Sequence, residues 1–197
     1  MNIDDWQNIQ AAQGWTELGL FNEAADALGE VSESAKEHPE FLQTCWRIYA
    51  EFGRWTECWN IARTILAEDP ANAMGHILFA CAIENLRGVQ DAYDYLRPVA
   101  DRITDSITIH FNLACYSCGL GRLDEARTWL AVAFEASEAD SSLYGLFYRH
   151  LARDDEAFKL LWPEISEIGR PVESSFSRPL RGPEVVTAYD TAKPRIG

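Results

Sequence analysis

The sequence predicts an all-α protein, a solenoid of stacked antiparallel helix pairs. Three observations predict it. A set of residues recurs every 34 positions, each 34-residue stretch is divided near its middle by a turn residue, and apolar side chains keep helical spacing on both sides of the division.

The recurrence is carried by five columns. The acid–small pairs Glu23-Ala24, Glu57-Cys58, Asp91-Ala92 and Glu125-Ala126 follow one another at 34 residues without a gap. Four residues before each acid stands Gly19, Gly53, Arg87 or Gly121, and two residues after that turn comes Phe21, Trp55, Val89 or Leu123. Upstream, Ala12, Ala80 and Ala114 form a small-residue column interrupted by Trp46; downstream, Val31, Ile65, Val99 and Ala133 keep the register. The units read 5–38, 39–72, 73–106 and 107–140, with a degenerate fifth from Ser141 to Ile165. In the fifth, Glu156-Ala157 restores the acid–alanine pair if about three residues are missing before it, and Pro163 then falls where Pro98 falls in the third.

Each element has a local reason. The first helix of each unit ends at its turn position, and the second begins with an acid in its first turn, where it complements the helix dipole. Pro39 suits the first position of a helix, and Asn72, Ser106 and Ser141 suit N-caps. In the third unit, Ile77, Phe79, Ala80 and Ile83 mark the apolar stripe of one helix, and Ala92, Tyr95, Leu96 and Val99 that of the next. Pro98 lies inside that second helix and is expected to kink it. The small residues Ala12, Ala24, Ala80, Ala92, Ala114 and Ala126 let paired helices approach closely. A single helix pair cannot bury its apolar face alone, so the units must stack.

The run Phe111-Asn112-Leu113-Ala114-Cys115-Tyr116, followed by Gly121-Arg122-Leu123-Asp124-Glu125-Ala126, resembles a tetratricopeptide repeat. Gly53-Arg54-Trp55-Thr56-Glu57, ending in Asp69-Pro70-Ala71-Asn72, resembles another. The resemblance covers about residues 5–165, departing at Trp46 and Arg87 and in the loss of the closing proline outside the second unit. It implies a right-handed superhelix whose first helices line a concave groove. One implied column reads Ile9, Gln43, Ile77, Phe111 and Gly145; the next Gln13, Arg47, Cys81, Cys115 and Arg149; a third Thr16, Ala50, Glu84, Cys118 and Ala152. Relatives that clamp the acidic C-terminus of heat-shock chaperones present cations along such columns. Here Ile9, Gln13, Thr44, Met74 and Leu78 stand in those places, which disfavours that ligand.

Charge and composition narrow the partners. The chain has 197 residues, 47% of them hydrophobic, and a net charge of −14 with a pI near 4.6. Such charge repels phosphate backbones and anionic lipid, so neither nucleic acid nor membrane is an expected partner. The longest apolar run, Ile77 to Ile83, is far short of the roughly 20 residues that cross a bilayer. An N-terminus reading Met1-Asn2-Ile3-Asp4-Asp5 lacks a signal-peptide pattern, and the five cysteines are an odd count; free thiols and a cytoplasmic location are expected.

Candidate chemistry is sparse. Cys115-x-x-Cys118 has no second pair, and with Cys81 it offers three thiols where a zinc site takes four ligands, so no metal or cofactor is expected. Neither a GxSxG elbow, an HExxH pair nor a glycine-rich phosphate loop occurs, and no enzymatic activity is expected. Trp55, Trp129 and Trp162 read as core of second helices; Trp6 and Trp15 are less determined. After Ile165 the pattern changes: residues 166–197 hold four prolines, five basic and four acidic side chains. That tail is expected to be a free end, a cover for the array or, through Arg178 and Arg181, an internal ligand in its groove.

The expected function is to bind a protein or peptide segment in the groove, through Ile9, Gln13, Gln43, Arg47, Ile77, Cys81, Phe111, Cys115 and Arg149. Charged replacements of Ile77 and Phe111 are expected to abolish binding without unfolding. The rivals are a small acidic chaperone for secreted or aggregation-prone clients and a self-assembling structural unit.

Overall fold

A computed structural model describes residues 1–139, 144–165 and 168. Among these the chain is all-helical. The helices are α1 (Ile3–Glu17), α2 (Phe21–Gly29), α3 (Pro39–Glu51), α4 (Trp55–Glu68), α5 (Ala73–Arg87), α6 (Val89–Ala100), α7 (Ile107–Gly119), α8 (Leu123–Ala139) and α9 (Tyr144–Asp154). Short 3-10 turns occur at Glu33–Ala35 and Glu156–Phe158. The predicted period is kept by seven of the helix starts: α2, α4, α6 and α8 begin at Phe21, Trp55, Val89 and Leu123, and α3, α5 and α7 at Pro39, Ala73 and Ile107, each 34 residues on.

Helix starts follow the predicted chemistry. The Asn72 side chain accepts from the Gly75 amide at 2.8 Å, and Ser106 Oγ accepts from Ile109 at 3.3 Å. Pro39 occupies the first turn of α3. Two further caps appear: Asn2 accepts from the Asp5 amide at 2.8 Å, and His38 Nδ1 from the Glu40 amide at 3.3 Å. The predicted cap Ser141 lies outside the described residues.

The turns between paired helices need a left-handed residue, and Gly19, Gly53 and Gly121 supply it at φ of 73°, 67° and 73°. In the third unit the expectation is displaced by one position. Arg87 remains the last residue of α5, and Gly88 takes the positive φ of 103° as the single residue before α6. At Gly121 a Cβ would meet nothing within 4 Å, so the conformation alone opposes a side chain there. Gly121→Ala is therefore expected to lower stability by about 1 kcal/mol. Gly121→Asn should cost less, as read from denaturant midpoints of the two variants. Pro98 is tolerated within α6, which continues past it to Ala100.

The described residues divide into two compact units, 1–86 and 87–168, and the division falls inside the third repeat rather than at a repeat boundary. In the first unit α1 packs on α2 and α3, and α3 on α4. Its core gathers Ile9, Ala12, Ala24, Leu28, Val31 and Phe41. Asp5, buried at the start of α1, accepts from the Ser32 amide and hydroxyl at 2.8 Å each, tying α1 to the segment after α2. Trp46, the odd member of the small-residue column, is fully buried and lies edge-on to Trp55 at 6.3 Å. The small partner on α4 is Cys58, whose thiol contacts the Trp46 carbonyl at 3.5 Å.

In the second unit α7 packs on α6 and α8, and α8 on α9. Phe111, Leu130, Phe134, Tyr148, Phe158 and Leu161 form its core with the small Ala114, Ala126, Ala133 and Ala152. Among the described residues the stretch predicted as a fifth unit holds one α-helix, α9. After α9, Asp155 caps the 3-10 turn by accepting from Ala157 at 2.9 Å, and turns continue to Ile165. Phe158, Leu161 and Ile165 are nonetheless buried in the second-unit core. The predicted core tryptophans Trp55, Trp129 and Trp162 are half-buried, unlike the fully enclosed Trp46.

Candidate functional site

The implied lining residues separate by burial. Ile9, Ile77 and Phe111 are 0%, 1% and 0% exposed, and Cys81 and Cys115 are 1% exposed each. These five are core, not wall. Phe111 packs its ring on Tyr148 and Phe158 at 5.3 and 5.1 Å, and Ile9 is enclosed by the first-unit core. Apolar side chains on a helix flanked on two sides are drawn inward, and spacing by itself does not say which of two apolar faces is covered. A charged replacement at Ile77 or Phe111 would thus bury a charge and unfold its surroundings, which corrects the expectation of a silent surface change.

Gln13, Gln43, Arg47 and Arg149 remain half-exposed. In the first unit three of them share one wall. Residues 6, 10, 13 and 17 lie on one face of α1, and residues 40, 43 and 47 on one face of α3. Gln10 donates to Gln13 at 2.9 Å, and Gln13 donates to the Glu40 carboxylate at 2.9 Å, so a side-chain ladder crosses from helix to helix. Trp6, 41% exposed, stands two turns before Gln13 and adds an apolar plate. Arg149 belongs to the second unit, where its guanidinium lies 4.5 Å from the Phe134 ring centroid and donates to the Ile168 carbonyl at 2.7 Å.

The third implied column contains the most unusual group. Thr16, Ala50 and Ala152 are buried, whereas Glu84 on α5 is half-buried, and its Oε2 is enclosed without a hydrogen-bond partner in the protein. Burial pushes this carboxyl up to about 7. Sequence reasoning placed Glu84 in the column without singling it out; its signal was an acid where the equivalent positions hold Thr16 and Ala50.

The cysteines face inward. Cys115 is part of the second-unit core, and Cys118, on the same side of α7, packs against that core. Burial pushes the Cys45 and Cys118 thiols up to about 11 and Cys58 up to about 12, so these sulfurs are protonated at neutral pH and poor nucleophiles. Among the described residues no group of three His, Cys, Asp or Glu side chains is arranged to hold a metal ion, and no helix is long and apolar enough to cross a membrane. Comparison of the chain with protein-family models gives no match, and comparison with curated proteins gives none.

Proposed function

We infer that this protein is a peptide-binding interaction module, and that its groove uses the first-helix faces of α1, α3 and α5. Supporting the reading are the 34-residue recurrence of helix pairs, the likeness to tetratricopeptide repeats and, above all, the Glu84 carboxylate. An acid held half-buried without a partner costs stability, and such groups concentrate where a ligand completes them. The recognition chemistry follows from the residues left exposed rather than from the apolar columns. Trp6 offers a plate for an apolar or aromatic anchor, Gln13 and Gln43 offer amides for an extended backbone, and Glu84 offers a seat for a lysine or arginine. The net charge of −14 draws such a cationic segment toward the protein.

A random-peptide display selection against the purified chain tests this. Enriched sequences should carry a Lys or Arg near an apolar residue. Glu84→Gln should weaken the selected peptide about tenfold, the loss of about 1.4 kcal/mol expected for a charge-assisted contact. No enrichment, or unaltered affinity in Glu84→Gln, overturns the assignment.

A further inference from the structure

We propose that the cleft between α2 and α3 binds a small apolar carboxylic acid, with its carboxylate at Lys36 and its hydrocarbon tail along α3. The cleft has a volume of about 370 Å³, within the roughly 300–1,000 Å³ that small-molecule pockets occupy. Its shape follows from residue size. Ala25 and Gly29, one turn apart on α2, form one wall, and a Cβ at Gly29 would meet nothing within 4 Å. Cys45 and Tyr49, one turn apart on α3, form the other. The floor is made by Leu28, Phe41 and Ile48, all buried. Small residues on one wall leave a gap that no side chain of the described residues fills.

The chemistry of the lining selects the occupant. Among the described residues the lining holds one charged side chain, Lys36, which is also the only lysine of residues 1–86. The Cys45 thiol adds no anion at neutral pH. Burial pushes it up to about 11, and the Lys36 charge pulls the other way without overcoming the burial. The field of the ammonium therefore reaches into the cleft. Lys36 is paired with Glu33 at 2.6 Å, but the Glu33 side chain is 90% exposed, and an ammonium carries three donors. A ligand with one anionic end and a hydrocarbon body answers both the cation and the apolar floor. A neutral apolar ligand leaves the cation unanswered, and a more polar one loses water against Leu28, Phe41 and Ile48 without replacement.

Length sets the size of the ligand. From Phe41 to Tyr49 α3 rises about 12 Å, which matches the extended length of octanoate. The site is also separate from the peptide groove. Phe41, Cys45 and Ile48 lie on the side of α3 away from Gln43 and Arg47, so neither proposal depends on the other.

Calorimetric titration of the full chain with sodium octanoate tests the proposal. Binding should appear with a Kd on the order of 0.1–1 mM, the range for a ligand this small. Hexanoate should bind about fifteenfold more weakly, since each buried methylene contributes about fourfold. Octanol keeps the tail and lacks the charge; it should bind about fivefold more weakly, as a half-exposed charge contact gives. Lys36→Met, which keeps an unbranched stem, should bring octanoate to the level of octanol and leave octanol unchanged. Gly29→Leu should fill the cleft and abolish binding of both. Gly29 is helical with open space beside it, so this variant should keep its helical spectrum and melt no lower than the parent. No binding of octanoate, equal affinity for octanoate and octanol, or octanoate affinity unaltered by Lys36→Met or by a folded Gly29→Leu overturns the proposal.

Discussion

Phe111→Ala is expected to lower the stability of the second unit by about 3–5 kcal/mol. The ring is fully buried and is clasped by Tyr148 and Phe158 at interplanar angles of 60° and 69°. It joins α7 to α9 and to the 3-10 turn Glu156–Phe158. Hydrogen exchange should localise the change. Amides of α7 and α9 should lose protection first, while those of α1 and α2 keep theirs, and a uniform loss would show that the two units do not open separately.

Glu84→Gln is expected to raise stability, by about 2 kcal/mol at pH 8.5, and to do nothing comparable at pH 4.5. The folded carboxyl titrates near 7 against 4.5 for its free value, so the folded chain holds this proton more tightly than the unfolded one. The contribution is favourable below pH 4.5 and is lost as pH rises through 7. Above that, an ionised carboxylate sits half-buried without a partner, and the neutral amide removes its cost. Thermal melts across this range should show the variant about 5 °C above the parent at the alkaline end and level with it at the acid end. A parallel displacement at all pH values would mean that packing rather than charge decides. If the variant is also the one that fails to hold a cationic peptide, the same carboxylate both costs stability and supplies recognition.

Much of the helix map could be read from residue order because its causes are local. A left-handed turn needs glycine, a first turn favours an acid, and a start is capped by Asn72 or Ser106; none of these depends on what lies across the core. The column Val31, Ile65, Val99 and Ala133 was legible for a related reason, since a strict 34-residue period places the same buried contact in every unit. Where a local cause was missing the reading slipped. Arg87 occupies the turn position, but its neighbour Gly88 could take the left-handed conformation at less strain, and the helix lengthened to meet it.

The candidate site was the less legible half. Ile9, Ile77 and Phe111 were assigned to an open wall because their spacing is right for one face of a helix, and that spacing is equally right for the core. At Glu84 the sequence shows an acid where equivalent positions hold Thr16 and Ala50, but the desolvation of its carboxylate depends on surrounding atoms that the sequence does not place. The sequence alone determined the helices, their turns and the 34-residue recurrence, all products of interactions reaching no more than a few residues along the backbone. Only the tertiary structure decided which apolar face each helix hides, which tryptophans stay at the surface and which acid is left without a partner, because burial is settled by neighbours brought together from distant parts of the chain.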